Sequence, residues 1–240
     1  MDHKKEFIKL FNQIARYHSR YEVFRDMVTI QAYSLHNAIV YHQPFEDEYF
    51  RIIKRYDKDD IKKMANLFGH VVEALEAGFC DFLGSVYMEL EISNKQCAQF
   101  FTPYHLSLLI AKITAPTEVD DKVTVQEPAC GAGGMVIAFA EALKDNKINY
   151  QRKLWVQAID VDEMVACMAY IQMSLLHIPG EVVVGNALSG EVRKVLKTPA
   201  HYLGCWDAKL AEPKVVENDS SEEIRPEVKP LKEGEQLALI

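Results

Sequence analysis

Three glycines within four residues, Gly131, Gly133 and Gly134, follow an acid, Glu127, in the run Val-Thr-Val-Gln-Glu-Pro-Ala-Cys-Gly-Ala-Gly-Gly-Met at 123–135. Glycine reaches positive φ at little cost and carries no Cβ, so a ligand can lie directly on such a turn where a helix N-terminus offers free N–H groups. Glu127 repels a phosphate at close range, which points to a ligand that brings hydroxyls or a positive centre. The glycine spacing alone is equally that of a turn that packs a helix onto a strand. Two further polar groups, Asp160 and Asn186, each close an apolar run. An acid at such a place can accept hydrogen bonds from both hydroxyls of a ribose, and Asn186 can meet an adenine edge. Cys130 has no base near it in sequence, so no catalytic nucleophile is assigned.

These groups need elements that bring them together. The β-branched run 123–125 reads as a strand and 135–143 as a helix. A second strand over 154–159 ends in Asp160, an almost wholly apolar helix covers 165–178, and a third strand at 182–184 leads into Gly185-Asn186. This alternation predicts a parallel sheet with ligands at the carboxyl ends of its strands, where Glu127, Asp160 and Asn186 all stand. S-adenosylmethionine has both hydroxyls and a positive centre. Beyond Leu188 the pattern weakens, to a short helix at 191–196 and a fourth strand at 200–206.

Upstream the chain reads as helices. Apolar residues at 7, 10, 11, 14 and 17 fall on one helical face, and Phe24, Met27, Val28, Leu35 and Ile39 define a second helix that ends before Pro44. A third runs from a cap at Asp59 or Asp60 to Gly78, and Phe82, Val86 and Leu90 mark a short fourth. Gln99-Phe100-Phe101-Thr102-Pro103 precedes an apolar helix over 106–113, with Thr102 as its cap and Pro103 at its first position.

Hydrophobic residues make up 49% of the 240, enough for a core, while no run is long and apolar enough to span a membrane. A cytoplasmic protein is expected. The five cysteines are odd in number and hold no C-x-x-C pair, so neither a disulfide framework nor a metal site is expected. The net charge of −8 disfavours nucleic-acid binding by bulk electrostatics alone. Residues 211–240 carry eight acids and four bases and are expected to be disordered up to the last five, Gln-Leu-Ala-Leu-Ile. The expected organisation is a helical module at 1–98, a cofactor-binding domain at 99–210 and an acidic tail at 211–240.

With Gln-Phe-Phe-Thr-Pro, Glu-Pro-Ala-Cys-Gly-Ala-Gly-Gly-Met, Asp160 and Gly-Asn in this order, the chain resembles the adenine-specific (N6) DNA methyltransferases, above all the methylation subunit of type I restriction-modification systems. The lead-in Asp-Phe-Leu-Gly-Ser-Val-Tyr at 81–87 is similar too. The likeness runs from about Phe82 to Leu188 and implies an α/β fold, a helical N-terminal module followed by a partial Rossmann-like methyltransferase domain. It implies that Phe101, Thr102 and Pro103 wall the methionine end of S-adenosylmethionine and that Glu127, Ala129, Gly131 and Gly133 form the cofactor turn. Asp160 would hold the ribose, and Asn186 with Ala187 would border the adenine.

One family feature is missing. Members hold the flipped adenine with an (Asp/Asn)-Pro-Pro-(Phe/Tyr) motif, and this chain has no Pro-Pro dipeptide. Thr198-Pro199-Ala200-His201 lies nearest the expected place without the acceptor or the second proline; His42-Gln43-Pro44-Phe45 would serve only in a permuted order. The resemblance therefore implies cofactor binding and a DNA partner. It leaves open a methyltransferase completed by another subunit or a non-enzymatic partner in a restriction-modification setting. A nicotinamide dehydrogenase fits less well, because the glycine order is not G-x-G-x-x-G. The final Gln236, Leu237, Leu239 and Ile240 resemble the short peptide by which bacterial DNA-processing proteins bind the replication sliding clamp.

Overall fold

The structure, a computed structural model, describes residues 1–90 and 101–211. The chain first forms helices α1 (His3–Phe11), α2 (Arg20–Asn37), α3 (Gln43–Ile53), α4 (Lys58–Ala77), α5 (Phe82–Glu89) and α6 (Tyr104–Thr114). Then follow β1 (Val123–Glu127), α7 (Gly134–Asp145), α8 (Tyr150–Lys153), β2 (Leu154–Asp160), α9 (Glu163–Leu175), β3 (Gly180–Asn186), β4 (Glu191–Lys197), α10 (Pro199–Leu203) and α11 (Trp206–Ala211). The expected clamp-like peptide, the tail and Gln99-Phe100 lie outside the described residues.

The sheet order is β1-β2-β3-β4, with the first three strands parallel and β4 antiparallel to β3. One face is apolar. Leu154, Val156, Ala158, Val182 and Val184 are buried there beneath α7 and α9. The alternate residues form a polar row across the other face: Gln126 Nε2 donates to Gln157 Oε1 at 2.7 Å, and Gln157 Nε2 donates to Glu181 Oε1 at 2.8 Å. Period-two alternation makes the difference, since a one-residue step moves a side chain across the sheet. Part of the polar face is closed by α10 and α11, where Trp155 Nε1 donates to the buried His201 Nδ1 at 3.0 Å.

α9 is buried on nearly all sides because the sheet covers one flank and α2 the other. That explains its unbroken apolar sequence, since a helix apolar all round belongs between two layers. One continuous cluster of buried side chains runs from Phe7 and Phe24 through Leu83 to Val156 and Val184.

Several local expectations are corrected. The first helix stops at Phe11, because the Arg20 guanidinium caps the chain there, donating to the carbonyls of Phe11 at 2.9 Å, Ile14 at 2.6 Å and Ala15 at 3.0 Å. The second helix ends before Pro44 as expected, at Asn37, but Pro44 also opens a helix not assigned from sequence, α3, where its missing N–H costs nothing and the apolar residues Phe45, Tyr49 and Ile52 follow. The cap of α4 is Asp57; Asp60 instead accepts the Tyr17 hydroxyl at 3.0 Å. Pro103, not Thr102, occupies the cap of α6.

Beyond β3 both assignments are reversed. Residues 191–196 lie in a strand and 199–203 in a helix. Asn186 Oδ1 accepts the N–H groups of Leu188 at 2.9 Å and Ser189 at 3.4 Å, and Gly190 takes φ 74°, which turns the chain straight back along β3. The close pairing also needs Gly185, where a Cβ would stand 2.2 Å from the Glu191 carbonyl oxygen.

Candidate functional site

The turn between β1 and α7 forms the floor of a cavity of about 800 Å³. A ligand of nucleoside size needs a volume of this order. Gly131 sits at φ 52° and Gly133 at φ 90°. At Gly131 a Cβ would meet the Phe101 ring at 3.1 Å, so that ring lies directly against the turn. At Gly133 a Cβ would come within 3.3 Å of Ala169, where the turn packs on α9. Cys130 N donates to the Ile159 carbonyl at 2.8 Å and so ties the turn to the end of β2.

Asp160 completes that tie. Its Oδ2 accepts Gly131 N at 2.9 Å and its Oδ1 accepts Asp162 N at 2.9 Å. Burial pushes the Asp160 carboxyl above its ordinary value, against the pull of these backbone donors. The Asp160 carboxylate lies on the lining of the cavity. Glu127, at the end of β1, accepts Ala129 N at 3.2 Å and lines the same space.

Phe101, Thr102, Glu127, Ala129, Gly131 and Asp160 therefore come together around one cavity. Gly133 supports it from beneath. Pro103 lines a neighbouring groove with Phe101 and Thr102. Asn186 and Ala187 are not among the lining residues; Asn186 spends its side-chain carbonyl on the turn after β3. His201 is buried under Trp155, away from this space, and Pro199 begins α10. His42 is the cap of α3, with Gln43, Pro44 and Phe45 in its first turn.

Sequence reading missed the residues that hold the cavity from behind. Gln172, wholly buried on α9, accepts Leu83 N at 3.0 Å and donates to Asp81 Oδ1 at 2.9 Å and to the Ala132 carbonyl at 2.8 Å. Its signal was a single amide inside an apolar helix, since a buried amide must find partners. Asp81 caps α5, and Ser107 faces the cavity from α6.

The lining carries Asp81, Glu127, Asp160, Asp162 and Glu163 and, among the described residues, no lysine, arginine or histidine. Glu163 is paired with Lys194, which also contacts Tyr33. Cys130 shares the acidic wall: burial first, then the charges of Asp160 and Glu127, raise its thiol well above the ordinary range. That environment opposes a thiolate nucleophile. Among the described residues, no group of side chains could hold a metal ion and no helix is long and apolar enough to cross a membrane.

No curated protein matches the chain. Solved structures similar to it include a Listeria monocytogenes protein described as a class I S-adenosylmethionine-dependent methyltransferase, 12% identical over 75% of this chain and 52% of that one, with a TM-score of 0.43. Another is a type I restriction-modification system methyltransferase subunit from Streptococcus thermophilus, 16% identical over 64% of this chain and 37% of that one, with a TM-score of 0.31. The chain thus spans about half or less of the length of either. The sequence model of the N-6 DNA Methylase family matches residues 79–203, more than half of the 240 residues and the whole stretch from α5 through the glycine turn to α10. The chain belongs to the N-6 DNA methylase family.

Proposed function

We propose that this chain binds S-adenosylmethionine in the cavity over the glycine turn and that it does not methylate adenine by itself. The observation that carries the reading is the charge of the cavity. A wall of five carboxylates, with no lining cation among the described residues, repels the phosphates of a dinucleotide and attracts a sulfonium and an ammonium. The residues fit the cofactor in shape as well. The Phe101 ring, packed against the turn at Gly131, offers an apolar wall, and Asp160 is held at the end of β2 on the cavity lining as the proposed acceptor of ribose hydroxyls. When bound, the cofactor supplies an activated methyl group; the chain's own residues orient it. Asn186 and Ala187 remain proposed neighbours of the adenine.

What is missing concerns the acceptor. Beyond the carboxyl end of β3 the chain turns back as β4, and among the described residues no proline-fixed amide or carboxylate with a following aromatic stands at the cavity. An extruded adenine costs a few kcal/mol to unstack, and among the described residues no such motif is positioned to hold it. We therefore read the protein as a cofactor-binding member of a DNA-modification system that acts with DNA and another protein subunit. The apolar peptide at 236–240 is a proposed attachment to a sliding clamp.

Incubating the purified chain with methyl-labelled cofactor and mixed-sequence DNA tests both halves. Label retained on the protein and absent from DNA is the expected outcome, with transfer appearing on addition of a partner subunit. Robust methylation by the single chain would refute the second half, and absence of bound label the first.

A further inference from the structure

We infer that Asp81 is the receptor for the α-ammonium group of the cofactor's amino-acid end, which it binds through Oδ2. The inference rests on the S-adenosylmethionine reading above. It starts from a division of labour between the two oxygens of one carboxylate. Oδ1 accepts Gly84 N at 2.9 Å, the cap of α5, and the Gln172 amide at 2.9 Å. Among the described residues nothing donates to Oδ2. Yet the residue is only 7% exposed and lines the cavity. A carboxylate so little exposed and with no counter-charge is costly, and the natural partner of its cavity-facing oxygen is a cation brought by the ligand.

The surroundings keep that oxygen open. A Cβ on Gly84 would stand 2.1 Å from Oδ2, and one on Gly134 would stand 3.2 Å from it. Any side chain at Gly84 would displace the carboxylate. Gly134 is also the first residue of α7, a helix of twelve residues whose first turn offers unpaired N–H groups and the positive end of the dipole. An α-amino acid carries its ammonium and carboxylate on one carbon. An acid beside a helix N-terminus therefore matches both charges at once, the ammonium on Asp81 and the carboxylate on α7.

A second unsatisfied group faces the same cavity. Ser107 Oγ on α6 is wholly buried and has no hydrogen-bond partner among the described residues. Burial also pushes the Asp81 carboxyl upward, the expected response of an acid waiting for a cation.

Calorimetry with three ligands tests this: S-adenosylhomocysteine, its deaminated analogue without the ammonium, and 5′-methylthioadenosine, which lacks the whole amino-acid end. The wild-type protein should bind S-adenosylhomocysteine about tenfold or more tighter than the deaminated analogue, the effect of one charged hydrogen bond. Asp81→Asn keeps an oxygen for Gly84 and Gln172, so it should lose that preference while holding 5′-methylthioadenosine as tightly as the wild type. Equal affinity of the wild type for the first two ligands would overturn the inference, and needs no variant to fold. So would an Asp81→Asn protein that keeps the preference, or one that melts cooperatively yet loses all three ligands equally. Failure of the wild type to bind any of the three would instead refute the underlying cofactor reading.

Discussion

Gly131 donates its backbone N–H to Asp160 Oδ2 at 2.9 Å, so the glycine turn after β1 is fixed by the acid that ends β2. The residue expected from sequence to hold a ribose is thus also the residue that shapes the turn beneath it. Asp160→Ala should weaken cofactor binding by about 1.5–3 kcal/mol, the usual contribution of hydrogen bonds to a charged group. Calorimetry on the folded variant checks it, and a change below about 0.5 kcal/mol would mean that the ribose is held elsewhere.

Gly131→Ala places a Cβ against the Phe101 ring and forces a non-glycine residue to φ 52°. Left-handed backbone costs such a residue about 1–2 kcal/mol before any clash is counted. Urea unfolding should show a lower midpoint with an unchanged slope, and cofactor affinity should fall with it. A variant as stable as the wild type would show that the turn relaxes freely.

Gln172→Leu removes three hydrogen bonds at once and leaves the Leu83 N–H and the Ala132 carbonyl without their partner. Each buried orphan costs about 1–3 kcal/mol, so this should rank among the most damaging single changes in the chain. Thermal melting is the readout. A loss of only a few degrees would contradict the assignment of Gln172 as the link between α5, α9 and the glycine turn.

The Asp81 carboxyl is raised above its ordinary 3.8 by burial. The folded state therefore binds this proton more tightly than the unfolded state, and stability falls as pH climbs from about 3.8 through the raised folded value. Above that value the penalty is complete. Asp81→Asn escapes it, so the variant should be the more stable protein at neutral pH, with an advantage that shrinks as the pH is lowered through the window and vanishes near 3.8. Melting temperatures of both proteins across this range decide the matter; a pH-independent difference would contradict it.

The sheet and the turn were legible in sequence because their signals are local. The β-branched run at 123–125 and the glycines at 131, 133 and 134 constrain their own φ and ψ, whatever packs on them. The segment 191–206 was misread because its outcome is decided at a distance. Glu-Val-Arg-Lys-Val-Leu-Lys has the charge spacing of an exposed helix, but Leu196 finds Val182 across a ladder that exists only once Gly185 lets the strands approach. Pro44 was ambiguous in itself, since proline closes one helix and opens another with equal ease.

The lining of the candidate cavity was legible only in part. Glu127, Gly131 and Asp160 stand at the ends of readable elements and meet at the cavity. Asp81, Ser107 and Gln172 were not readable as site residues because their roles arise from contacts far apart in sequence, such as Gln172 with Leu83 and Asp81. A cap, a helical serine and a helical glutamine each have an ordinary local explanation until the third dimension brings them together.

The most direct test of the account is a calorimetric titration of S-adenosylmethionine into the intact, folded chain. A saturable heat at one site per chain, strongly reduced in Asp160→Ala, is the expected result. Absence of any binding heat at millimolar cofactor, with the protein shown to be folded by its cooperative melting, would contradict the assignment of the cavity over Gly131 as a cofactor site.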